Sequence, residues 1–480
     1  MENRNVADQL IGDRQDLLDW DRTIVWHAFT QMAEYEPFIV ERAEGCVLTD
    51  IDGREYIDGV SSLWCNIHGH RHPKIDEAVR AQLDRVAHFT NLGGSNPTAI
   101  WLAKRLVDIA PPGLRHVFFA GDGASAVEVA IKMAFQCWRQ RKEPGKGTVP
   151  ICRNGPEGAA HKWGLSPFPK NCYLALGEAY HGDTIGSVSI GGIEQFHAMF
   201  GPLLFETLRV PAPDSYRTPP GVPPANLCQY HLEKLEQVLA ENHRRIAAVV
   251  IEPLVQGAAG LLMHPPGYLR GMRELTRKYD VLLIADEVAV GFGRTGRMFA
   301  CEHEAVTPDL LCLGKGLTGG YLPMSATLAT DEIWQAFLGT YAESKTFYHG
   351  HTYGGNPLCA AAALATLDIF EQERTLEKLP AKIARIAEHL SRIARLPHVG
   401  DVRQRGMMAG IELVRDVETK EPYPWQERRG LRVCDYALTE GVWLRPLGNV
   451  IVIMPPLAIT LEQIDKVMEV VERGIGVASG

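Results

Sequence analysis

Asp286 and Lys315 each close a short apolar run that reads as a buried strand. Asp286 ends VLLIAD (281–286), and the chain then enters the Gly-rich segment GFGRTG (291–296). Lys315 follows LLCL (310–313) within LLCLGKGLTGG. A lysine amine condenses with an aldehyde. A carboxylate beside a pyridine nitrogen keeps that nitrogen protonated, so the ring can accept electrons. An acid at one strand end and a lysine at the next is therefore the pair that pyridoxal phosphate chemistry requires. A core-edge aspartate and an unrelated surface lysine is the plainer reading of any such pair, so the neighbouring segments have to decide.

Several of them carry suitable residues. FFAGDGASAVEVAIKMA (118–134) reads as strand, small-residue turn and helix. Gly123, Ala124 and Ser125 open that helix, whose free amides and dipole suit a phosphate, with the Ser125 hydroxyl beside them. By itself the segment is equally an ordinary N-cap. AYHGDT (179–184) follows the run CYLAL. There Tyr180 can stack on a ring above the turn of His181, Gly182 and Asp183, or it can simply pack on the core. IEPLVQGAAG (251–260) is expected to turn Glu252 and Gln256 into the same crevice. Arg294 in GFGRTG has the planar fork that grips a carboxylate, although an arginine there can also be a solvated charge. Thr352 in YHGHTYGGNPL (348–358) offers a hydroxyl and an amide to a phosphate. The histidines of HGHRH (68–72) and HGH (349–351) lack the helical spacing and carboxylate of a metal site, so no metal is expected.

These residues need a scaffold. Candidate strands at 116–120, 172–176, 246–252, 281–286, 310–313 and 325–329 alternate with helical patterns such as 124–140 and 267–280. Nearly continuous apolar strands alternating with helices point to a mostly parallel sheet covered on both faces. Ligands of such sheets bind beyond the carboxyl ends of the strands, where Asp286 and Lys315 fall. Residues 38–60 read as a β-meander with a turn at Asp52-Gly53. Residues 370–480 mix two long helices with strands at 406–413 and 450–456, and the two chain ends are expected to share a second α+β unit. Two Pro- and Gly-rich stretches, 143–171 and 211–226, read as long loops.

At 480 residues the chain is long enough for one large domain and one smaller one. A net charge of −9 with no long basic run argues against a nucleic-acid partner. The ten cysteines are scattered without a C-x-x-C pair and read as reduced thiols of a cytoplasmic protein. The first fifteen residues have no apolar signal core. The longest apolar run, 246–255, is too short to span a bilayer and carries an acid, so no membrane is expected.

Taken in order, GDGASAVEVAIKMA, YHGDTIG, IADEVAVGFGRTG, GKGLTGGYLP and GHTYGGNPL closely resemble the class III aminotransferases of PLP fold type I. The resemblance runs over nearly the whole chain. It implies an α/β fold: a large domain (75–345) with a mostly parallel seven-stranded sheet flanked by helices, and a smaller α+β domain built from both ends (1–74 and 346–480). It implies pyridoxal 5'-phosphate as cofactor, with Lys315 as the Schiff-base lysine and proton shuttle, Asp286 as partner of the ring nitrogen and Tyr180 stacked on the ring. Gly123, Ala124, Ser125 and His181 would complete the cofactor site. Thr352 would reach the phosphate of the other subunit, which makes a homodimer with active sites at its interface. Trp64, Phe29, Arg294, Gly350, His351 and Arg445 would line the pocket for a small amine donor and a keto acceptor.

Within the class, WHAFTQM (26–32), SSLWCNIHGHRHP (61–73) and GVWLRPLGNVIVIMPPL (441–457) look most like the biotin-pathway branch, which aminates 8-amino-7-oxononanoate. The better-known members of that branch use S-adenosylmethionine as donor. They carry two tryptophans where this chain has Leu63-Trp64, a tyrosine at Phe29 and a proline at His351. Loss of an aromatic face and a hydroxyl weakens a site for a sulfonium donor. FTQM and HGH look more like the lysine-using members, so the donor is expected to be lysine, with S-adenosylmethionine as the alternative. Val290 stands where the family pattern has threonine. Two rivals remain: an ω-amino acid:pyruvate aminotransferase, and a non-catalytic PLP-binding regulatory module, for which no DNA-binding head is visible.

Overall fold

The computed structural model describes residues 14–141 and 170–479. Nearly all of the loop expected at 143–171 therefore lies outside the described residues.

After a helix at Arg14–Thr23 come three strands: β1 (Val40–Glu44), β2 (Val47–Asp50) and β3 (Glu55–Asp58). They form the expected antiparallel meander. Its turn closes because Asp50 Oδ1 accepts the amides of Asp52 and Arg54, both at 2.9 Å, while Gly53 takes φ +78°.

The large sheet is built from β4 (Leu114–Ala120), β5 (Cys172–Leu176), β6 (Thr207–Val210), β7 (Ile246–Ile251), β10 (Leu282–Asp286), β11 (Leu310–Leu313) and β12 (Ser325–Thr330). A short hairpin, β8 (Val255–Gln256) with β9 (Leu262–Met263), lies between β7 and β10. The order across the sheet is β4-β12-β11-β10-β7-β5-β6. Only β12 runs against the others among the described strands. Strands β5, β7, β10 and β11 are buried along their whole length. That is why their sequences are continuously apolar rather than alternating.

β13 (Val399–Arg405), β14 (Met408–Asp416), β15 (Glu421–Pro422), β17 (Arg445–Leu447) and β18 (Val450–Ile453) make a C-terminal antiparallel sheet. β16 (Val442–Trp443) instead pairs in parallel with β3. A strand from each end of the chain thus lies in one sheet. The C-terminal third holds more helix than its sequence suggests: Pro357–Gln372, Thr375–Ile393, Arg429–Thr439 and Leu461–Ser479.

Candidate active site

Strand register brings the acid and the lysine together. Asp286 on β10 lies opposite Cys312 on the adjacent parallel strand β11, so Lys315 follows just beyond the same sheet edge. Tyr180 and His181 leave the end of β5, Glu252 leaves β7, and Gly123 follows β4. All of these strands run in the same sense, so their carboxyl ends share one crevice.

Asp286 is nearly fully buried. Its Oδ1 accepts the Val288 amide at 3.0 Å, and its Oδ2 lies 2.8 Å from His181 Nδ1. A carboxylate has further lone pairs, so it can still accept from a ring N–H in the crevice. Burial pulls the His181 imidazole down, but the hydrogen bond and charge of Asp286, with the charge of Glu252, outweigh it and the net shift is upward. The other ring nitrogen of His181, Nε2, is buried without a partner.

Lys315 sits at φ +40°, left-handed backbone that a non-glycine residue enters only under constraint. Burial lowers its pKa against the opposing pull of Asp286 and Glu252. Its ammonium lies 5.6 Å from the Trp64 ring centre. Glu252 accepts the Tyr180 amide at 3.1 Å and the Gly257 amide at 2.8 Å, and burial pushes its carboxyl up to about 7. Tyr180 is partly buried, and its hydroxyl donates to Asp183 at 2.7 Å.

The phosphate-suited turn is compact. Asp122 caps the helix Gly123–Gln140 by accepting the Ser125 amide. The amides of Gly123 and Ala124 stay unclaimed among the described residues. A Cβ on Gly123 would lie 2.5 Å from Val288 Cγ1. Gly182, at φ +113°, would place one 2.3 Å from Ala124 Cβ. A backbone this tight at a helix N-terminus is a cradle for an anion. With Tyr180 for a ring face, Asp286 for a ring nitrogen and Lys315 for an aldehyde, the residues present fit pyridoxal phosphate.

Some expected roles come out differently. The Ser125 hydroxyl donates to Asp122 at 2.8 Å, so it serves the cap instead of facing a phosphate. Arg294 is completely buried. Its Nη1 donates to the Pro455 carbonyl at 2.6 Å and its Nη2 to the Asn66 carbonyl at 2.8 Å, which leaves no fork for a substrate carboxylate. Gln256 does not face the crevice: it is buried, donating to the Gly177 carbonyl and paired with His264. Phe29, Leu63, Gly350, Thr352 and Arg445 are all exposed. The His351 ring abuts Gly121, where a Cβ would lie 2.6 Å from its Nε2.

The histidines of the two clusters are engaged singly. His68 lies against the Thr366 carbonyl, His70 against Asp58, His72 against Glu373 and His349 against Lys132. Among the described residues no three His, Cys, Asp or Glu side chains converge to hold a metal. Asp58 and the Asn66 carbonyl were not singled out from the sequence. The Asn66 carbonyl takes its role from Arg294, 228 positions away, whereas the carboxylate of Asp58 takes its role from amides and a ring that follow it closely in the chain.

The pattern of the class III aminotransferases (Aminotransferase class-III) matches residues 30–475. The adenosylmethionine-8-amino-7-oxononanoate aminotransferase of Geobacter sulfurreducens is 51% identical over 472 residues, covering 98% of this chain and 99% of that protein. The crystal structure of the protein of that name from Methanocaldococcus jannaschii superposes with TM-score 0.87 at 43% identity, covering 97% of this chain and 99% of that one. An amine transaminase from an uncultivated Pseudomonas species, solved in a PLP-bound form, superposes with TM-score 0.86 at 34% identity over 95% and 99% of the two chains. With Asp286, Lys315 and Tyr180 gathered at one sheet edge, and with similarity along almost its whole length, the chain belongs to the class III aminotransferases.

Proposed function

We propose that this aminotransferase transfers an amino group to the ketone of 8-amino-7-oxononanoate, forming 7,8-diaminononanoate for biotin synthesis. The observation that carries this reading is full-length identity of about half to relatives that bear the substrate in their names, on a chain whose crevice keeps the acid–lysine pair. When bound, pyridoxal phosphate supplies the electron sink that makes the donor's α-proton removable. The chain's own residues do the rest. Asp286 keeps a ring nitrogen protonated, with His181 fixing the carboxylate's orientation. Lys315, its pKa lowered by burial, is the amine that would move a proton. Gly123 and Ala124 bind a phosphate through their amides. Tyr180 supports a ring face, and Trp64 shields the lysine from water.

For the donor, Leu63, Phe29 and His351 support lysine. A tryptophan face attracts a sulfonium and a leucine does not, and this mouth carries one tryptophan, Trp64. The names of the relatives support S-adenosylmethionine. The active unit of this reading is a cytoplasmic homodimer. Gly350–Thr352 is flanked by the exposed side chains of Leu92, Tyr348 and Tyr353, an apolar margin that a second copy would cover.

The test is a single-turnover spectrum of the PLP-loaded protein, followed by 8-amino-7-oxononanoate or pyruvate as acceptor. Conversion by L-lysine alone supports the donor reading, and conversion by S-adenosylmethionine alone replaces it. A preference for pyruvate would move the protein to the ω-amino acid aminotransferases.

A further inference from the structure

The turn that carries Leu63 and Trp64 has an unusual backbone. Ser61, Ser62 and Trp64 all sit at positive φ (+55°, +59° and +63°), and none is glycine. For a side chain as bulky as tryptophan this is a true outlier, and it persists only where the surroundings over-determine it.

Two buried charges supply the constraint. Asp58, at the end of β3, is fully buried. It accepts the Val60 amide at 3.2 Å on Oδ1 and the Ser62 amide at 2.7 Å on Oδ2. His70 Nε2 lies 2.9 Å from the same Oδ2. His70 is itself fixed through its backbone, which exchanges hydrogen bonds with Gly45 in both directions. On the far side of the turn, Arg294 grips the Asn66 and Pro455 carbonyls, and Ser61 Oγ donates to the Met454 carbonyl at 2.7 Å. The anion thus collects the turn's N–H groups and the cation its carbonyl. The result is polar in its geometry: Leu63 is turned outward at 51% exposure, while Trp64 is turned inward over Lys315.

We propose that Asp58 and His70 are positioning residues for substrate selection. They hold the strained turn so that Leu63 faces the mouth and Trp64 the lysine, and the donor is selected by that alternation. Neither residue touches the cofactor site. This inference rests on the functional reading above.

The experiment compares the holoenzyme with Asp58→Asn, His70→Gln, His70→Phe and Asp58→Asn/Ser62→Gly. Asparagine keeps one acceptor but presents an NH2 group to the other amide, so the turn loses one of its two tethers to residue 58. Glutamine at 70 retains a donor for Asp58, and phenylalanine does not. Amide exchange across residues 60–66 reads the tether directly. Half-reactions with L-lysine and with S-adenosylmethionine read its consequence.

The expected result for Asp58→Asn and His70→Phe is exchange faster by about tenfold or more. The donor KM rises by a similar factor, while the rate at saturation stays within about twofold and the spectrum of the bound cofactor is unchanged. His70→Gln behaves as the parent. Ser62→Gly, which removes the steric cost of positive φ, recovers part of the KM in the Asp58→Asn background. Unchanged donor constants alongside faster exchange would overturn the proposal, as would an equal fall in rate for both donors with no change in KM. If Asp58→Asn does not fold, the two His70 variants decide. If the parent converts neither donor, the functional reading fails while exchange still reports on the tether.

Discussion

At the scale of single residues, the site is a set of buried ionisable groups whose charges are balanced unevenly. Glu252 is the clearest case. Burial pushes its carboxyl from an ordinary 4.5 up to about 7, although two backbone amides donate to it. The folded state therefore binds this proton more tightly than the unfolded chain. Below about pH 4.5 the group is protonated in both states and the penalty is absent. It grows as pH rises and is complete above about pH 7, reaching roughly 3 kcal/mol. Between pH 5 and pH 8 the cofactor-free protein should lose stability that Glu252→Gln does not lose, as read from urea midpoints. Parallel profiles for the two proteins would refute the assignment. At the mouth, Leu63→Trp restores an aromatic face. It should favour S-adenosylmethionine over lysine by about tenfold in kcat/KM, a shift of about 1.4 kcal/mol in transition-state binding.

At the scale of elements, function depends on how closely strand ends and helix starts approach. The AYHGDT turn passes directly under the Gly123–Gln140 helix, and Gly182 makes the approach possible at φ +113°. Gly182→Ala adds a Cβ where only 2.3 Å separates it from Ala124 Cβ, in a backbone region that L residues avoid. Either the turn or the helix start must move. We expect cofactor affinity to fall at least tenfold in a spectral titration and stability to fall by about 2–4 kcal/mol. A parent-like titration would show that the cradle tolerates the displacement. Gly177, in contrast, has ordinary contacts at 3.6 Å, and an alanine there serves as the control.

At the scale of the whole molecule, Gly350 and Thr352 are exposed on the single chain. If Thr352 serves the phosphate of a partner, the two activities should complement. Lys315→Ala and Thr352→Ala homodimers would each be impaired. A co-refolded mixture would form heterodimers in which one site has both an intact lysine and an intact threonine. Activity of the mixture above the sum of its parts is the expected outcome. Strict additivity, with dimers confirmed by sedimentation, would place Thr352 in its own subunit's site. Substituting Trp101, exposed at 63%, with glutamate tests whether that side chain lies in the interface of the proposed homodimer, and the expected outcome is a shift toward monomer.

Much of this was legible in the chain itself, for an identifiable reason. Strands buried on both faces write themselves as unbroken apolar runs, so β5, β7, β10 and β11 could be read within a residue or so. The acid and lysine at their ends followed from that reading. The edge strand β6 (TLRV) was not found, because an edge strand carries mixed polarity and its run is too short to show a period. Arg294 was misread for a different reason. Its fork is real, but the carbonyls it holds belong to Asn66 and Pro455, far away in sequence. Asp58 was missed for another reason: the amides it collects belong to the residues just after it, but nothing in DGVSSLW shows that one carboxylate will collect them. The sequence by itself determined the parallel core, the acid–lysine pair and the tight turn at the start of the Gly123–Gln140 helix, since each depends on local period, local turn chemistry and residue type. Only the tertiary structure decided which buried charges serve chemistry and which serve the backbone. That choice depends on which carbonyls and amides long-range packing leaves without partners.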